Sequence, residues 1–194
     1  MKVSGASYFS SIVITYDDGN SGSGSGECEW QLVTDVNDLE VGNRVVIAAK
    51  DYNYAISTTQ NNNNRGQAAI TKNGNTISEP SDDVQILTLE AGKTSGSLAF
   101  NTGSGYLYAA SSSNNYLKTE SNLSNNSSWT ISIAANGTAT LKAQGTNTRN
   151  VMQYNQSSSI FACYSSASQK ALVIYKAVCI TETTVSLIPK ITIF

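Results

Sequence analysis

Apolar residues along this chain occur in short runs, and stretches rich in Asn, Gly and Ser separate them. No window places apolar residues at the i, i+3, i+4 and i+7 positions over three turns, so we predict no long helix. Turn-forming pairs such as Asn73-Gly74 and Asn136-Gly137 fall between the runs. Short strands at intervals of roughly ten residues are typical of a barrel or a sandwich. We therefore predict an all-β fold.

About a dozen short strands are predicted between Glu29 and Lys176, most of them β-branched or aromatic in composition. The predicted strands are Trp30–Val33, Arg44–Ala49, Tyr54–Ser57, Ala68–Thr71, Val84–Leu89, Ser97–Asn101, Gly105–Ala109, Tyr116–Thr119, Trp129–Ile133, Thr138–Ala143, Asn150–Tyr154, Ile160–Tyr164 and Ala171–Tyr175.

A threefold internal repeat is visible in these strands. Similar segments begin at Trp30, Val84 and Trp129, at spacings of 54 and 45 residues, and each is followed by a turn, a strand and a Tyr-bearing strand. Three repeats of four short strands are the plan of a β-trefoil, a six-stranded barrel capped by three hairpins. We favour a closed, trefoil-like barrel of about 12 short strands; a β-sandwich and another six-stranded barrel stay open as alternatives.

The composition divides the chain into four segments. Residues 1–16 are predicted to be the terminal strand of a preceding β-sandwich domain, and residues 17–28 form a Gly/Ser linker. Residues 29–176 are predicted to form the β-barrel accessory domain, and residues 177–194 a strand-like C-terminal tail.

Charge and residue types exclude several functions. Charged residues are 13% of the chain and its net charge is -2, so we expect no nucleic-acid partner and no membrane partner. The chain has no His, which excludes Ser-His-Asp and Cys-His catalysis, and three cysteines do not form an ordinary zinc site. We predict no catalytic residue, no metal site and no cofactor. A hydrolase that uses paired carboxylates stays a disfavoured alternative.

The three cysteines are predicted to differ in environment. Cys163 lies in the apolar run Ile160–Tyr164 and is predicted to be a small core residue. Cys28 and Cys179 lie just outside the two ends of the main domain. We expect them to stay unpaired, with a Cys28–Cys179 disulfide as the less favoured alternative, because the ends of a barrel often meet.

Loops rich in amide and hydroxyl side chains are the candidate recognition sites. Residues 61–65, 111–116 and 147–150, together with Tyr154, combine Asn, Ser, Tyr and Arg, which are typical of adaptable recognition surfaces. Ordinary solvated hairpin loops are the more common explanation of such segments. The predicted ligand-binding residues are Asn64, Arg65, Asn115, Tyr116, Arg149 and Tyr154.

Several segments also resemble a known kind of domain: Asn53–Gly66, Gly105–Leu117, Thr148–Asn150, Tyr154-Asn155 and Phe161–Tyr164. Together they resemble an all-β accessory domain, itself without an assigned reaction, of multidomain secreted or surface proteins from gut-type anaerobic bacteria. The resemblance covers roughly Glu29 to Lys176. It implies export and neighbouring modules, and it implies no catalysis.

These observations predict a non-catalytic accessory module of a secreted or cell-surface bacterial protein. Its expected partner is a glycan, or neighbouring domains of the same polypeptide, and we expect a monomer. No signal peptide is recognisable in the sequence, so export would depend on a leader outside it. A ligand-free spacer or an adhesin domain stays open as an alternative function.

Overall fold

The computed structural model describes residues 28–179 of this chain. The predicted sandwich strand of residues 1–16, the linker up to residue 27 and the tail from residue 180 lie outside this range. Fifteen strands within this described range make up one sheet: β1 Cys28–Leu32, β2 Arg44–Ala49, β3 Tyr54–Gln60, β4 Arg65–Ala69, β5 Lys72–Asn73, β6 Thr76–Ile77, β7 Leu87–Ala91, β8 Leu98–Asn101, β9 Tyr106–Ala109, β10 Leu117–Glu120, β11 Trp129–Ile133, β12 Ala139–Ala143, β13 Val151–Asn155, β14 Ile160–Tyr164 and β15 Leu172–Cys179.

Helix is confined in the described range to two single turns of 3-10 helix, Val36–Asp38 and Asn125–Ser127. No helix of residues 28–179 has the length and apolar character needed to cross a membrane.

Six strands form a closed ring of antiparallel pairs, in the order β2, β7, β8, β11, β12, β15 and back to β2. Two of the six joins are single residue pairs, Trp129 with Leu98 and Ala139 with Leu172. The hairpins β3–β4, β9–β10 and β13–β14 follow ring strands. The chain thus repeats a unit of one ring strand, one hairpin and one ring strand three times, which confirms the predicted β-trefoil plan.

The repeat is offset from the predicted one by a single strand. Its units begin at Arg44, Leu98 and Ala139 rather than at Trp30, Val84 and Trp129. The strand β1, which carries Trp30, lies outside the ring and pairs with β15 and β6. The ring is completed instead by β15, which pairs with both β2 and β12.

Apolar residues form two cores, one inside the ring and one against its outer wall. In β2, Val45 and Ile47 pack in the inner cluster, whereas Val46 and Ala48 belong to the outer cluster. Trp30 covers the outer cluster together with residues of the short β5–β6 hairpin. Because both of its faces are buried, β2 is a continuous apolar run rather than an alternating one.

A disulfide joins the two ends of the described chain. Cys28 and Cys179 are paired residues of β1 and β15, their Cα atoms lie 3.9 Å apart, and their sulfur atoms are bonded. The expectation of unpaired cysteines at these positions was wrong, because β1 and β15 run side by side to their last residues. The strand β15 also continues to Cys179, beyond the predicted domain boundary at residue 176. Cys163 is a free cysteine buried in the inner core, as predicted.

Candidate functional site

Arg65, predicted as a ligand contact, is a buried residue with 4% of its surface exposed. Its guanidinium donates to Ser57 O at 2.9 Å and to Gln85 Oε1 at 2.5 Å through Nη2, and to Thr119 Oγ1 at 3.3 Å through Nη1. Burial lowers its pKa from the ordinary value. Since Thr119 lies on β10 and Phe161 of β14 pairs with Arg65, this side chain lies where the three hairpins meet. It holds the hairpins together, and it is too buried to be the predicted ligand contact.

Tyr154 is also internal, with 1% of its surface exposed. Its ring packs against Phe161 at a centroid distance of 5.0 Å and against Tyr52 at 5.6 Å. Its hydroxyl donates to Gln67 Oε1 at 2.5 Å, and burial raises the pKa of that hydroxyl. Tyr154 therefore belongs to the inner core rather than to a recognition surface.

The other four predicted residues are half-buried and bring three loops together. Arg149 Nη1 donates to Asn115 Oδ1 at 2.6 Å, which joins loop 144–150 to loop 110–116. Asn64 Oδ1 accepts from the backbone N–H of Leu117 at 3.2 Å, which joins loop 61–64 to the end of loop 110–116. Tyr116 is the residue immediately before Leu117 in the sequence. We call the continuous area formed by loops 61–64, 110–116 and 144–150 the loop surface.

Further contacts fix loop 144–150. Ser112 Oγ donates to Asn147 Oδ1 at 3.2 Å, and Thr148 Oγ1 donates to Ser112 O at 3.1 Å. Gly145 fits tightly against Asn126, because a Cβ added at Gly145 would lie 1.9 Å from Asn126 Oδ1. The same Asn126 oxygen accepts from the N–H of Asn147 at 3.3 Å. The loop is therefore held in position by contacts within the fold.

The predicted residues and the exposed residues of this surface have different structural roles. Asn64, Asn115 and Arg149 use their side chains to hold the loops, whereas neighbouring residues project into solvent. Five exposed side chains of the loop surface make no hydrogen bond within residues 28–179, namely those of Asn61, Asn62, Ser113, Asn114 and Thr146. All five are uncharged hydrogen-bonding groups.

A groove of about 550 Å³ adjoins the loop surface on the outer face of β11 and β12. The side chains that form it are Thr130, Ser132, Thr140, Lys142, Gln144 and Asn150. Burial alternates along both strands, so that Trp129 and Leu141 face the inner core while Thr130 and Lys142 face solvent. Gly145 and Asn150 belong to loop 144–150, which makes the groove and the loop surface continuous. This groove was not predicted from the sequence, because the alternation along the two strands indicates only a solvent-facing side.

Comparison with known proteins identifies the fold. The crystal structure of a designed threefold symmetric protein, ThreeFoil, is similar to this chain with a TM-score of 0.51 and 14% identity, over 70% of this chain and 97% of that one. The apo structure of the BEL β-trefoil matches with a TM-score of 0.48 and 17% identity, over 77% of this chain and 100% of that one. The sequence matches no protein-family model and no curated protein sequence. The likeness to ThreeFoil shows a β-trefoil fold.

Proposed function

We propose that this β-trefoil is a non-catalytic carbohydrate-binding module, an accessory domain of a secreted or cell-surface bacterial protein. The observation that carries the proposal is the convergence of three amide- and hydroxyl-rich loops on one continuous surface. Loops distant in sequence are joined there by the Arg149–Asn115 and Asn64–Leu117 hydrogen bonds. These contacts fix the three loops relative to one another, so that their exposed groups form one surface.

The chemistry of the exposed groups suits a sugar. Asn62, Ser113 and Asn114 offer amide and hydroxyl groups, which donate to and accept from the hydroxyls of an uncharged polar ligand. Because the loops are already held in place, binding orders few additional groups and costs less conformational entropy. The β-trefoil is also a fold that is often used for carbohydrate binding. No reaction is part of the proposal, since the chain has no His to act as base or nucleophile partner.

A glycan array probed with the full chain tests the proposal, and the expected result is binding to a defined set of glycans. The triple variant Asn62→Ala, Ser113→Ala, Asn114→Ala removes three side chains that hold nothing else in place. We expect it to bind at least about tenfold more weakly, the effect of losing one or two net hydrogen bonds, with an unchanged urea midpoint.

The matched control is the double variant Thr71→Ala, Asn75→Ala. These exposed polar residues lie at the β5–β6 hairpin, which pairs with β1 and not with the three loops. Binding by this variant should equal that of the unaltered chain. If no glycan binds, or if the triple variant binds as well as the control, the proposal is wrong.

A ligand-free spacer is the second candidate. It is favoured by the internal use of Arg65 and Tyr154, which shows that polar residues in these segments serve folding. A spacer predicts that the array shows no binding while the chain remains folded.

A further inference from the structure

The three repeats allow three neighbouring pairs of ring strands to be compared, namely β15–β2, β7–β8 and β11–β12. The outer face of the first pair is covered. Val46 and Ala48 of β2 and Val173 and Tyr175 of β15 are buried there, in the outer cluster beneath Trp30. This face is part of the folded core and offers no room for a ligand.

The outer face of β7–β8 is occupied by its own side chains. Glu90 accepts from Asn101 Nδ2 at 2.5 Å and from the Tyr106 hydroxyl at 2.8 Å. The hydrogen bond to Glu90 raises the pKa of Tyr106. The Glu90 carboxylate on this face therefore already accepts hydrogen bonds from two side chains of the domain itself.

The outer face of β11–β12 is open and polar. Lys142 lies opposite Thr130, and Thr140 lies opposite Ser132, with all four side chains exposed. Opposite side chains on a sheet are about 5 Å apart, and alternate ones along a strand about 7 Å apart. The four groups thus outline an area comparable to a single sugar ring, at the groove already described.

Lys142 is the one charged residue among those that line this groove. Its ammonium group has no hydrogen bond and no ion pair among residues 28–179, and none of the residues that line the groove carries a carboxylate. An ammonium group offers three donors and a full positive charge. A single unmatched cation among hydroxyl groups is complementary to a sugar with a single anionic group.

Two amide side chains at one end of the groove complete the recognition chemistry. Gln144 Nε2 donates to Lys142 O at 3.0 Å, and Asn150 Nδ2 donates to Ala143 O at 3.2 Å. These bonds orient both amides and leave their side-chain oxygens to accept from sugar hydroxyls. Donors and acceptors are therefore both present around the cation.

We propose that the groove on β11–β12 binds an acidic sugar, with Lys142 bound to the carboxylate or sulfate of that sugar. Thr130, Ser132 and Thr140 then contact its hydroxyl groups, and the loop surface holds the rest of the glycan. The inference rests on the proposed carbohydrate-binding function and adds the class of sugar and the residue that selects it.

An NMR titration of the full chain tests this inference with four probes: methyl glucuronide, its methyl ester, methyl glucoside and glucose 6-sulfate. We expect the glucuronide or the sulfated sugar to bind about tenfold more tightly than the two neutral sugars, with shifts at the amides of β11, β12 and loop 144–150. Lys142→Gln keeps the length of the side chain and removes its charge, so it should abolish the preference. Lys93→Gln removes an exposed cation from the β7–β8 turn and should leave the preference unchanged.

The outcomes separate the two proposals. Preference for the sulfated sugar alone supports the site and assigns sulfate as its anion. If neither the glucuronide nor the sulfated sugar binds more tightly than the two neutral sugars, or if the preference is unchanged in Lys142→Gln, this inference is overturned while sugar binding by the loop surface stands. If none of the probes and no glycan on the array binds, both proposals fail.

Discussion

Arg65 is a cation that the fold buries without a carboxylate beside it in the described range. Its substitution by Ala would leave Ser57 O and Gln85 Oε1 without their donor and would open a cavity where the hairpins meet. We expect Arg65→Ala to lower the free energy of unfolding by about 3 kcal/mol. Urea unfolding followed by tryptophan fluorescence measures this loss.

Arg65→Met separates the two parts of that loss. Met fills most of the volume of the Arg stem but donates no hydrogen bond, so its cost should be smaller than that of Ala. A value for Arg65→Ala within about 0.5 kcal/mol of the unaltered chain would place Arg65 among ordinary surface residues and contradict its role as the centre of the hairpins.

The thiol of Cys163 should be unreactive in the folded protein. It is fully buried, and burial raises the pKa of its thiol, whereas the thiolate is the reactive form. We expect no reaction with Ellman's reagent at pH 8 in native buffer, and one thiol per chain in urea without reductant. Rapid labelling of the native chain would show that the inner core opens at β14.

The sequence predicts residue environments where neighbours in the chain decide them. Cys163 is such a case, because the run Ile160–Tyr164 is apolar around it. Arg65 and Tyr154 are the opposite case. Their burial depends on Thr119 and Gln67, which are distant in sequence, and a polar residue type in a polar segment gives no sign of such contacts.

Loop 144–150 depends on the absence of a side chain at Gly145. An alanine Cβ there would meet Asn126 Oδ1 at 1.9 Å and its backbone N at 2.7 Å, so the loop has to move. We expect Gly145→Ala to cost about 1–3 kcal/mol of stability and to weaken ligand binding at the adjoining groove. Urea unfolding measures the first effect and the sugar titration the second.

Gly66→Ala is the matched control for this loop. The nearest atoms to an added Cβ at Gly66 are 3.7 Å away, which is ordinary van der Waals contact. Its stability should change by less than about 1 kcal/mol, and sugar binding should not change. Equal effects of the two substitutions would mean that the Gly145–Asn126 contact does not hold the loop.

The four-residue strands β8, β9 and β10 could be predicted to within one residue at each end, and the two-residue strands could not. β2, β11 and β14 have the limits that the sequence predicts, since their residues are buried in a regular pattern. The two-residue strands β5 and β6 are too short to show any alternation, and only the turn Asn73-Gly74 between them was predicted. The groove was missed because Thr130 and its neighbours resemble any solvated face of a strand.

The whole molecule shows why the repeat was predicted with the wrong starting strand. Trp30 and Trp129 are both fully buried, and their sequence contexts are alike. Trp129 packs on Phe100 inside the ring, whereas Trp30 lies in the outer cluster and donates to Glu79 Oε2 at 2.9 Å. The hydrophobicity of a residue indicates that it is buried, but it does not indicate which of the two cores the residue belongs to.

The disulfide joins Cys28 and Cys179, which are 151 positions apart in sequence, and so closes the described range into one loop. Such a closure restricts the unfolded chain, and we expect its reduction, or the double variant Cys28→Ser, Cys179→Ser, to cost about 3–5 kcal/mol of stability. Urea unfolding with and without dithiothreitol measures the difference. Cys163→Ala should lose as much stability in dithiothreitol as the unaltered chain does. A urea midpoint that is the same with and without dithiothreitol would contradict a stabilising disulfide.

The same closure decides how the domain responds to tension. A pull on the polypeptide from both sides enters at Cys28 and leaves at Cys179, two residues whose Cα atoms are 3.9 Å apart. With the sulfur atoms bonded, the force passes between these residues and bypasses the trefoil. Without the bond, the chain between these two residues, which are 151 positions apart in sequence, would extend to roughly 500 Å when fully stretched. In a chain under shear, the oxidised domain is a link of fixed length whose fold is not loaded.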